Sequence, residues 1–141
     1  MFVSLKQNYG LSTTKANKND LFLQMLYMNQ GIISEIFYKL SIIKSLYVLY
    51  LDSPTFHTLE NRKKLNQFYI DLGQYDKIIC DFDNRLHKIY KSYSSKKATL
   101  FNELTTFDKD FKKIRTEIDD KHNQFIQYAD SKINNSENNN K

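Results

Sequence analysis

The chain has 141 residues and a net charge of +5, one domain's worth and enough for an independent core. Three glycines and one proline leave few places for tight turns, which excludes a many-stranded β fold and favours a few long helices. Residues 52–95 hold seven cations and six anions, and 96–141 hold nine and eight. Cations interleaved with acids in this way argue against a dedicated nucleic-acid module, which segregates its positive charge.

Ten Phe and ten Tyr stand out, but Phe, Tyr, Ile, Asn and Lys share AT-rich codons and all are abundant here. Genome composition accounts for the rings without a stacking function. The single Cys80 can form no intramolecular disulfide, and no small-residue cleavage site follows an N-terminal apolar stretch. The setting expected is intracellular and reducing, cytoplasmic with the nucleus left open.

Residues 1–19 show no sustained period and read as a flexible arm, with Asn19 or Asp20 placed to cap the first helix. Residues 21–51 form the most apolar segment. Its length suits a bilayer, yet Glu35, Lys39 and Lys44 sit at its centre, where each costs about 2.5–3.5 kcal/mol on insertion. Glu35 and Lys39 are also spaced for an i, i+4 surface ion pair. Leu26, Ile33, Ile36, Leu40, Ile43, Tyr47 and Tyr50 recur at steps of three and four, and Phe37, Ile42, Leu46 and Leu49 widen the stripe. This is a helix nearly surrounded by apolar neighbours in a bundle and not a membrane span.

Asp52-Ser53-Pro54 then makes a corner at 52–54. Ser53 is the expected N-cap of the next helix, Pro54 its first residue, and Asp52 a negative charge near its positive end. Beyond it, Leu65, Phe68, Leu72, Tyr75, Ile79, Phe82, Leu86, Ile89 and Tyr93 alternate steps of three and four without a miss. That 3.5-residue repeat is the seam of a coiled coil or bundle. It resumes in a shifted frame as Leu100, Leu104, Phe107, Phe111, Ile114, Ile118, Phe125 and Tyr128, after the polar stretch 91–99 with its three serines. No glycine or proline forces a break there, so a stutter in a continuous helix competes with a break.

Two all-α architectures follow. In the first, a shorter apolar helix (21–51) turns into one long heptad helix (54–133). At about 1.5 Å per residue the second spans about 120 Å against about 46 Å for the first, so its seam demands another chain. In the second, the helix breaks near 92–99 and three comparable rods close as an antiparallel bundle. The regular seam and missing breaker favour the first. The helical domain is assigned to 20–133, and the Asn-rich tail 134–141 reads as disordered.

Candidate sites are sparse. Asp81, Asp83 and His87 fall on neighbouring turns, but a structural zinc needs four ligands, and no calcium loop is spelled out, so they read as polar side chains on a solvated helix face. Arg85, Lys88, Lys91, Lys96 and Lys97 make a basic stretch without an acid, a candidate patch for an anionic partner. Lys63 and Lys64 belong to a shorter basic run read as surface, and Asp119, Asp120 and His122 match no triad or ligand set. No phosphate-binding glycine loop or activated nucleophile is visible.

No enzyme activity and no cofactor or metal are therefore expected. The leading expectation is a non-enzymatic coiled-coil subunit, a scaffold or adaptor, whose Leu65–Tyr93 seam packs against other helical chains in a homo- or hetero-oligomer. Small subunits of trafficking, tethering or kinetochore-type complexes share this layout, a likeness of shape alone. Peripheral membrane contact stays open. The alternative is a self-contained three-helix domain that binds nucleic acid or phospholipid through 85–97.

Overall fold

A computed structural model describes residues 18–93 and 99–139. Three long helices make up nearly all of it: α1 (Lys18–Asp52), α2 (Leu59–Ser92) and α3 (Leu100–Asn139). A four-residue 3-10 segment, Pro54–His57, joins α1 to α2. Each long helix packs on the other two.

Side-chain pairs give the register. Near one end of the bundle Phe22 of α1 stacks on Tyr93 of α2, ring centroids 5.1 Å apart. Further along, Lys44 reaches Asp76 at 2.8 Å, and Tyr47 stacks on Tyr69. As α1 advances, α2 therefore retreats. The second hairpin runs likewise, with Arg85 paired to Asp110, Tyr75 bonded to Glu117 and Phe68 against Phe125. Lys39–Asp119 and Tyr50–Phe125 then tie α3 alongside α1 in the same direction.

The fold is thus the antiparallel three-helix bundle, and the continuous 54–133 helix is corrected. α2 ends at Ser92, Tyr93 caps it by donating its N–H to the Tyr90 carbonyl, and α3 starts at Leu100. Magnitudes explain why the chain folds back without a glycine or proline. Interrupting a helix forfeits about four backbone hydrogen bonds, each worth about 1 kcal/mol net. Closing the hairpin buries Leu65, Leu72, Tyr75, Ile79, Leu86 and Ile89 on α2. It also buries Leu104, Phe107, Phe111, Ile118 and Phe125 on α3. At about 1.5–3 kcal/mol for each large apolar side chain, burial wins by a wide margin.

The three rods contain 35, 34 and 40 residues, so each seam is covered along nearly its whole length. Leu26, Ile33, Ile36, Leu40 and Ile43 of α1 enter the same core, as their spacing predicts. Phe56 of the 3-10 segment closes one end, near Tyr50 and Tyr128.

The corner differs from expectation in detail. Ser53 precedes Pro54 as foreseen, but its side chain makes no capping bond. Thr58 caps α2 instead, accepting from the Asn61 N–H at 3.4 Å. The intervening 3-10 turn brings Phe56 inward, which moves the true helix start five residues on. At the other terminus α3 continues through Asn139, where the sequence reads as a disordered tail from 134. Once the packed turns up to Ile133 have met the cost of nucleation, each further residue needs only one more hydrogen bond to extend the helix. Of the expected flexible arm over 1–19, residues 1–17 lie outside the described residues, and Lys18 and Asn19 belong to α1 instead.

Candidate interaction surfaces

The nine α2 seam residues come first. Leu65, Leu72, Tyr75, Ile79, Leu86 and Ile89 are buried, and Phe68, Phe82 and Tyr93 are half-buried against the same core. Their neighbours are α1 and α3 of the same chain, so the seam offers no free edge to a partner. Phe82 meets Phe107 edge-on and stacks on Phe111, with centroids 5.5 and 5.3 Å apart. The premise that this chain cannot cover its own seam is corrected.

The basic stretch is only partly assembled. Arg85 pairs with Asp110 at 3.1 Å and lies over the Phe107 ring, so its charge is already engaged. Lys88 and Lys91 are exposed, while Lys96 and Lys97 lie outside the described residues. Arg85, Lys88, Ile89 and Ser92 line an open cleft of about 430 Å³ with Thr99, Asn102, Glu103 and Thr106 of the facing hairpin arm. Glu103 places an acid in the same cleft, so it is mixed in sign.

His87 turns back on its own helix, with Nδ1 2.9 Å from the Asp83 carbonyl oxygen and 3.5 Å from its carboxylate. Cys80 is exposed. No metal-binding group of three or more ligands occurs among the described residues. No described helix is long and apolar enough to cross a membrane.

One polar cluster bridges α1 and α3. Lys39 binds Asp119 at 2.5 Å, and His122 stands one turn beyond Asp119. Burial, reinforced by the Lys39 charge, holds the His122 pKa below its ordinary value, while Asp119 acts in the opposite sense. Lys39 therefore does not pair with Glu35 as their spacing suggests: the inter-helix acid outcompetes the neighbour on the same helix. Lys44 is likewise drawn to Asp76 on α2, whose hydrogen bond raises its pKa.

The outer side of α1 is the feature that the sequence does not single out. Tyr27, Tyr38, Ile42, Val48 and Leu49 are 57%, 69%, 38%, 58% and 64% exposed. At about 100° per residue their positions fall within about 120° of one another around the helix, interspersed with exposed Gly31, Ser34, Ser41 and Ser45. The cations beside this face on α1, Lys39 and Lys44, are held by Asp119 and Asp76. Its two acids, Glu35 and Asp52, are exposed and have no cation within ion-pair distance among the described residues. Every described residue exposed on α3 is polar, and on α2 exposed Leu59, Ile70 and Tyr90 are scattered among charges.

Single exposed apolar side chains are ordinary, but five along one side of one helix are not. A signal for this face was present in the sequence, since the apolar stripe of 21–51 is wider than two neighbours can cover. A helix suited to being surrounded has only α2 and α3 beside it. Compared with protein-family models, curated sequences and solved structures, the chain matches none.

Proposed function

We propose that this protein is a non-enzymatic helical subunit of a larger protein assembly, and that it docks through the outer side of α1. The observation carrying this reading is the stripe Tyr27, Tyr38, Ile42, Val48 and Leu49, gathered on one side of α1 while the exposed apolar residues of α2 stand singly. Tyrosine-rich faces with small residues between the rings suit protein contacts, because Tyr contributes large area with little rotamer entropy to lose. The role remains the scaffold or adaptor role expected from the heptads, but the docking residues move from the α2 seam to α1.

The anionic-ligand reading has less support. Arg85 is held by Asp110, and Glu103 shares the cleft beside Lys88. Isolation of the chain at its native level should yield a stoichiometric complex, from which Tyr38→Lys with Leu49→Lys releases a monomer of unchanged melting temperature. A wild-type chain that runs alone at 16.8 kDa, or a double variant that stays in the complex, contradicts the proposal.

A further inference from the structure

Taking that docking face as given, we infer that its occupant is a helix of a different protein, bordered by Lys or Arg. Charge decides the matter. Within a chain of net charge +5, this face is locally acidic, with Glu35 and Asp52 exposed on it. The nearest lysines of α1 are drawn away, Lys39 to Asp119 on α3 and Lys44 to Asp76 on α2. Asp52 is the last residue of α1, where the helix dipole is itself negative, so an incoming cation meets both.

A second copy of this chain, meeting the first through the same face as in a two-fold dimer, would bring only the same two acids and the engaged Lys39 and Lys44, so that pairing brings no complementary charge. An anionic membrane surface is opposed by the same acids, since helices that lie on such membranes present Lys and Arg. A partner helix with an apolar stripe and basic borders satisfies both the exposed rings and the unpaired carboxylates.

The test compares two double variants in the native complex. Glu35→Lys with Asp52→Lys should weaken the complex roughly tenfold at low salt, with the penalty shrinking as salt rises. Tyr38→Lys with Leu49→Lys should dissociate it, and both variants should melt as the wild type does. If the charge reversal changes nothing while the apolar variant dissociates, the basic border is overturned and the docking face stands. If neither variant weakens the complex, the docking face itself fails, and this inference with it. A homodimer of purified chain that Tyr38→Lys disrupts overturns the inference in favour of a second copy. Tighter binding of the Lys variant than of wild type is expected on phosphatidylserine-containing vesicles; binding of the wild type itself to those vesicles overturns it in favour of a membrane.

Discussion

Phe125 shows what single side chains contribute. It is wholly buried on α3, edge-on to Tyr50 of α1 at 5.5 Å and to Phe68 of α2 at 6.2 Å, so one ring touches all three helices. Phe125→Ala should cost about 3–5 kcal/mol in urea unfolding, whereas Ile70→Ala, on the exposed side of α2, should stay within about 0.5 kcal/mol. A loss below about 1 kcal/mol for Phe125→Ala would deny the three-way core. His122 provides a pH signature. Its folded-state pKa lies below the ordinary 6.5, chiefly through burial and then through Lys39. As pH falls through about 6.5 the unfolded chain takes up the proton first, so stability drops on acidification and is unaffected by this group at higher pH. His122→Gln should flatten that part of the stability–pH curve. A slope unchanged by the substitution would remove His122 as its source. Asp119, Asp120 and His122 were visible in the sequence as a group without a purpose, because Lys39 lies 80 positions away from Asp119 and only the fold brings those two together.

At the level of elements, helix existence follows from spacing, whereas helix ends depend on contacts that spacing does not carry. The corner at 52–54 is where expected, but the cap belongs to Thr58, because Phe56 must turn inward before α2 can start. Thr58→Ala should cost about 0.5–1 kcal/mol and Ser53→Ala only a few tenths. Equal costs, measured by thermal melts, would place the helix start elsewhere. Gly73 sits inside α2 with open space where a Cβ would point. Gly73→Ala should therefore stabilise the bundle by about 0.5–1 kcal/mol, through helix propensity and a less flexible unfolded chain. Destabilisation would mean that something packs against that exposed turn. The break after Ser92 was legible as a shift of frame between Tyr93 and Leu100 across the polar stretch 91–99. Local propensity does not demand it; the burial of two facing seams does.

For the whole molecule, the heptads identify a bundle correctly but do not say whose helices complete it. Length arguments made residues 65–128 look too long to be covered from within; folding that stretch in two removes the excess. What stays uncovered is the far side of α1, whose excess apolar width was in the sequence but had no meaning until its neighbours were counted. The isolated chain should accordingly melt in one cooperative transition without any partner. The central claim, that the heptad seam serves the fold and the outer side of α1 serves docking, is tested most directly by chemical labelling of tyrosines in the free chain and in the native complex. Tyr27 and Tyr38 should label rapidly when the chain is free and be protected in the complex, while Tyr75, only 6% exposed, labels slowly in both. Rapid labelling of Tyr75 in the free chain that slows only in the complex, with Tyr27 and Tyr38 unchanged, would contradict it.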